Sequence, residues 1–154
     1  MIASAAAWIW PVETSTVCGR QKACQNDHDT SMSLLDMIRY HKFLIARLWI
    51  SEYGCADKPE QFKWLMGYSP YQNVKEGVAY PAVLLEAAES DGRVDALHAR
   101  KMAARLQSAT SSDQPVLLRL ETKAGHGQGK PRGKVLDELT DTWSFVFWQL
   151  GIGG

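Results

Sequence analysis

The spacing of apolar and polar positions divides the chain into a part with little period and a part with strong period. Residues 1–32 open on "MIASAAAWIWPVE" and continue as "TSTVCGRQKACQNDHDTS", polar and without a clear repeat apart from a strand candidate near "TSTVCG". From Ser33 the pattern sharpens. "SLLDMIRYHKFLIARLWI" places Leu34, Leu35 and Ile38, then Leu44, Ile45 and Leu48, at helical spacing behind a serine suited to capping, which predicts a helix broken near Lys42. "SEYGCADKPEQFKWLMGYSP" predicts a turn, a short helix opening near Pro59, and a stop before Pro70.

The second half alternates between the two periods. "YPAVLLEAAE" is a continuous apolar run of the kind found in strands buried on both faces, and it ends in the polar turn "SDGRV". "ALHARKMAARLQSAT" follows with strong helix formers, and Ala96, Ala99, Met102, Ala103 and Leu106 recur at helical spacing. "PVLLRLETKAG" is again strand-like, and "KVLDELTDTWSFVFWQLG" closes as a helix ended by Gly151. Strand, helix, strand, helix implies parallel strands joined by crossovers, hence an α/β class: a short parallel sheet flanked by helices.

Composition narrows the partners. At 154 residues and 45% apolar content, the chain is long enough for one real core. Lys+Arg and Asp+Glu both number 17, so no basic face is offered to nucleic acid or to an anionic membrane. A small molecule, a peptide or another protein chain is the expected partner. The apolar opening is short, has no basic residue and is stopped by Pro11, which fits neither a signal peptide nor a membrane span. Three cysteines, Cys18, Cys24 and Cys55, form no paired framework; the odd count reads as reduced thiols in a cytoplasmic protein without a structural disulfide. Cys18, Cys24 and His28 could ligate a metal, but their spacing is not a usual zinc pattern, so no metal and no cofactor is expected.

In open α/β sheets the loops at the carboxyl ends of the strands converge on one edge. Two loops of that kind carry chemistry here: "ESDGRV" holds Asp91 and "AGHGQG" holds His126. A carboxylate can fix the tautomer of a histidine while the other ring nitrogen takes a proton from a nucleophile. An Asp-Gly turn and a Gly-flanked histidine also arise for backbone reasons alone, so position on the sheet leaves both readings open.

Longer strings are more specific. "LLDMIRYHKF", "WISEYGCADKPEQFKWL", "YSPYQNVKEGVAYPAVLL", "DGRVDALHARKMAARLQ" and "PVLLRLETKAGHGQGKP" together closely resemble the C-terminal part of the catalytic domain of the prolyl oligopeptidase family of serine peptidases. The likeness runs from about Ser33 to Gly151. It implies an α/β-hydrolase fold, present in part, and divides the chain into a divergent N-terminal segment, 1–32, and a partial catalytic domain, 33–154. In that family a β-propeller precedes the catalytic domain and the triad runs in the order Ser, Asp, His. The resemblance puts the triad acid at Asp91 and the base at His126. It also matches Arg93 to the arginine that hydrogen-bonds the peptide backbone, Trp49 and Tyr53 to the aromatic pocket around the substrate proline, and Val94 to an apolar wall of that pocket. A flat indole can bury a pyrrolidine ring at small entropic cost.

The family's nucleophile elbow has no counterpart among the 154 residues, which contain no G-x-S-x-G. Ser69 in "GYSPY" is followed by Pro70, which has no N–H to give to an oxyanion, and Ser31 and Ser33 read as caps. Two expectations follow. One is a serine hydrolase acting on a peptide or small ester, with Asp91 and His126 in their family roles and a serine of unusual context, from this chain or a neighbouring subunit. The other is a non-catalytic truncated fragment or assembly module. An α/β-hydrolase sheet has about eight strands and few are visible here, so a homo-oligomer covering the exposed sheet edge is expected, the alternative being a partly ordered or aggregation-prone fragment.

Overall fold

A computed structural model describes residues 33–122 and 130–152. At its centre two strands, β1 (Val83–Ala88) and β2 (Val116–Glu121), pair in parallel with Val83 opposite Val116 and Ala88 opposite Glu121. The 13-residue helix α3 (Leu97–Ala109) connects them, as the alternating periods predict. Before them come α1 (Ile50–Tyr53) and α2 (Pro59–Tyr68); after them comes α4 (Arg132–Gln149).

Side-chain alternation splits the sheet into two unlike faces. Val83, Leu85 and Ala87 of β1 and Val116 of β2 pack with Ala99, Met102 and Leu106 of α3 in the larger core. All five helical positions singled out by spacing, Ala96, Ala99, Met102, Ala103 and Leu106, are buried. The opposite face is half-covered and mixed, with Glu86, Arg119 and Glu121 alongside Leu84, Ala88 and Leu117. Glu86 accepts a hydrogen bond from Thr142 Oγ1 (2.8 Å), Arg119 Nε donates to Asp141 (2.8 Å), and Lys134 Nζ reaches Glu121 (2.8 Å). Thus α4 turns a polar stripe to the sheet, while Leu136, Leu139, Trp143, Phe147 and Leu150 face outward and exposed. β1 is therefore not covered by apolar packing on both faces as its sequence suggested, since Glu86 on the second face needs polar partners.

The helix predicted from Ser33 is replaced by short pieces. Two 3-10 turns, Tyr40–Lys42 and Ala46–Trp49, lead into α1. Between them Phe43 is extended and Leu44 has φ +48°. The reason is tertiary: the backbone groups a helix would use internally go to distant partners. Asp36 N–H donates to His98 Nδ1 (3.1 Å), Met37 N–H to Ser69 Oγ (2.9 Å), and Leu35 C=O accepts from Tyr71 N–H (2.9 Å). Leu35 is buried in the larger core, and Met37, Tyr40 and Ala46 join Leu65 of α2 in a second cluster, whereas Leu44, Ile45 and Leu48 are exposed.

The other predicted ends hold. α2 begins with Pro59 in its first turn and stops where Ser69 turns extended ahead of Pro70. Gly151 takes φ +67° just past α4, a backbone that glycine adopts without strain. The strand candidate near "TSTVCG" lies outside the described residues.

Candidate active site

The loop that leaves β1 is held tightly. Glu89 N–H bonds to Glu121 C=O (2.9 Å), carrying the ladder one residue past the paired register, and Asp91 N–H bonds back to Ala88 C=O (3.3 Å). Asp91 is buried, at 6% exposure, and its Oδ1 accepts the N–H groups of Arg93 (2.7 Å) and Val94 (3.0 Å). This is an aspartate turning its own backbone, and the same two bonds fix where the carboxylate points. The structural and functional readings of "DGRV" are therefore compatible. Arg93 is exposed and Val94 is buried.

β2 runs parallel to β1 and in register, so Thr122 leaves the sheet at the same end as Glu89. His126 lies beyond it, outside the described residues. Sheet topology thus brings the two strand exits to one edge.

Trp49 and Tyr53 are half-buried and pack on the second cluster. The Tyr53 ring meets Tyr40 edge-on, with centroids 5.9 Å apart at 87°. The Tyr40 hydroxyl donates to Gly54 C=O, and burial, assisted by Tyr68, Cys55 and Glu52 nearby, pushes its pKa up to about 12. Both aromatics therefore serve core packing, with part of each ring open.

His98 links the two regions. It sits in the first turn of α3, accepts from Asp36 N–H, and meets Phe43 edge-on at 6.0 Å. With Ser33, Glu86, Val94 and Asp95 it lines a cavity of about 10 Å³, room for about one water and not for a peptide. Burial holds the His98 pKa low, against the pull of Asp36 and Asp95, while burial pushes the Glu86 carboxyl up. Sequence reasoning passed over His98, because a histidine on the apolar side of a helix carries no motif.

Ser69 is fully buried and spent on structure. Its Oγ accepts from Met37 N–H and donates to the Gln72 side chain, consistent with its exclusion as a nucleophile.

A parallel strand-helix-strand unit with a pinned aspartate in the loop past its first strand defines an α/β protein. Residues 30–153 match the prolyl oligopeptidase family, and the chain belongs to that family. It is 40% identical over 122 residues to a prolyl endopeptidase from Elizabethkingia meningoseptica, covering 79% of this chain and 17% of that protein. It is also 40% identical over 118 residues to prolyl oligopeptidase A from Galerina marginata, covering 76% of this chain and 16% of the relative. Among solved structures it resembles a prolyl endopeptidase studied for inter-domain dynamics, with TM-score 0.74 and 48% identity over 78% of this chain and 18% of that one. Prolyl oligopeptidase B from Galerina marginata, bound to a 35mer hydrolysis and macrocyclization substrate, matches with TM-score 0.71 and 35% identity over 78% of this chain and 17% of that one. The fold is thus part of an α/β-hydrolase fold, and the chain spans about a sixth of the length of the curated relatives it matches.

Proposed function

We propose that residues 33–154 supply the acid–base half of a serine-hydrolase site, with Asp91 holding His126 and His126 moving the proton of a serine hydroxyl during acyl transfer. Residues 1–32 form a separate, divergent segment. The serine comes from an unusual context in this chain or from a neighbouring subunit. Arg93 binds the carbonyl of a peptide, Trp49 and Tyr53 pack against a proline ring, and Val94 closes the pocket wall. The observation that carries this reading is the Asp91 carboxylate, buried and held by two backbone N–H groups in the loop that leaves β1, at the sheet end where β2 also finishes.

Asp91→Asn keeps the acceptor oxygen for Arg93 and Val94 while removing the charge. In a Ser-His-Asp arrangement that change lowers turnover by about 10⁴-fold. Hydrolysis of a para-nitrophenyl ester, with fluorophosphonate labelling in parallel, is the assay. Loss of both signals in Asp91→Asn and His126→Ala supports the reading. Equal rates in all three proteins, with no serine labelled, refute it.

A second reading, a non-catalytic assembly module, is favoured by the outward stripe of α4. Leu136, Leu139, Trp143, Phe147 and Leu150 recur at three- and four-residue steps and are all exposed, Trp143 at 42% and Leu136 at 64%. That spacing suits pairing with the same helix of a second copy, about a two-fold axis. Both readings expect a homo-oligomer, so Trp143→Glu should shift sedimentation towards monomer. Only the hydrolase reading expects esterase activity to follow Asp91 and His126.

A further inference from the structure

His41, Cys55 and Asp57 stand together beside the second cluster, and neither the triad nor the substrate pocket uses them. One ligand atom from each, an imidazole nitrogen, the thiol sulfur and a carboxylate oxygen, lies within 4.8 Å of the other two. The His41 side chain is only 6% exposed, and neither ring nitrogen has a hydrogen-bond partner among the described residues. Burying an imidazole with both nitrogens unpartnered among the described residues is unfavourable, so the ring is set to take a further partner. Its Nε2 is 3.5 Å from Asp57 Oδ2, too poorly aligned for a hydrogen bond.

We propose that His41, Cys55 and Asp57 bind a zinc-like divalent transition metal. Nitrogen, thiolate and carboxylate form a donor set of borderline softness, suited to zinc and not to calcium or magnesium. Tetrahedral zinc with bonds of about 2.0–2.3 Å places its ligand atoms roughly 3.3–3.6 Å apart, which the His41–Asp57 pair already meets. Cys55 is buried, and its N–H is tied to Gln61 Oε1 (2.8 Å), so the backbone that carries the sulfur is held in place. Asp57 is 69% exposed, which leaves the fourth position open to water. Lys42 Nζ, 3.9 Å from the other Asp57 oxygen, is on an exposed side chain that can swing away. On binding, the Cys55 thiol gives its proton to solvent and the thiolate forms the metal bond, so affinity rises with pH. The ligands bracket residues 42–54, which carry Trp49 and Tyr53, so a bound ion would close this segment into a ring. Sequence reading missed the set because a histidine fourteen residues before a Cys-x-Asp matches no zinc pattern.

The test uses the full reduced chain, stripped with chelator, titrated with Zn²⁺ by calorimetry and with Co²⁺ by absorption. One equivalent should bind, with a thiolate-to-Co²⁺ charge-transfer band. Affinity should fall about 100-fold in Cys55→Ser and about tenfold in Asp57→Asn, whose exposed side chain leaves the fold intact. The variant Cys18→Ser/Cys24→Ser/His28→Gln should bind as the parent does. No binding by the parent, binding abolished in that triple variant, or parent-like affinity in both Cys55→Ser and Asp57→Asn would each overturn the proposal.

Discussion

Replacing Lys101 with methionine isolates one buried charge. Asp36 is almost fully enclosed, its side chain 2% exposed, and its carboxylate accepts from Lys101 Nζ and from Gln72 Nε2 (2.6 Å). Burial raises the Asp36 pKa, but Lys101 and Gln72 outweigh it and the net shift is downward. Lys101 also lies over the Tyr71 ring, 4.2 Å from its centroid. Methionine keeps an unbranched apolar side chain and removes the ammonium, and with it both the ion pair and the contact with the ring. A buried carboxylate deprived of its partner costs about 3–5 kcal/mol, and the surviving Gln72 bond points to about 3. For a chain of this size that corresponds to a Tm lower by about 6–12 °C. Urea denaturation at several pH values checks it. In the parent, a depressed native pKa means that the pair's contribution is complete above the ordinary carboxylate value of 3.8 and fades as pH falls through the lower native one. In Lys101→Met the Asp36 pKa rises, so protonation relieves the penalty and the gap to the parent narrows as pH falls. Asp36→Asn added to Lys101→Met should recover most of the loss. A loss below about 1 kcal/mol at pH 7, or a gap independent of pH, would refute the reasoning.

Two further outcomes are expected. Gly54 has φ +92° and ψ 178°, a region open essentially to glycine alone, and a Cβ there would meet the Gln61 side chain at 3.4 Å; Gly54→Ala should cost about 1–3 kcal/mol in denaturant titrations. His98 is buried with its native pKa below 6.5, so the unfolded chain binds its proton first; stability should decline as pH drops below 6.5 and level off below the native pKa, a slope that NMR titration of His98 would locate and that a normal pKa would rule out.

Much of the fold was legible where local and tertiary preferences agree. The α3 stripe, the two apolar strands, Pro59 opening α2 and Gly151 closing α4 each place one residue type where only one backbone or one face suits it. The segment from Ser33 was misread because its apolar spacing fits a helix while its N–H groups are claimed by His98 and Ser69, far along the chain. The Asp91 turn was legible as a turn, while its role as a triad acid is what the resemblance proposes. His98 was not, since what distinguishes it is burial and a bond 62 residues away.

Sequence by itself determined the alternation of periods, hence parallel pairing of β1 and β2, and it carried the strings that place the chain in its family. Both are local properties, written in side-chain type at fixed spacing. Tertiary structure alone decided that α4 shows its polar stripe to the sheet and its apolar stripe outward, because Glu86, Arg119 and Glu121 occupy that sheet face and demand polar partners. It alone brought His41 to Cys55 and Asp57, since a cluster of ligands drawn from separate turns exists only once the turns between them are folded.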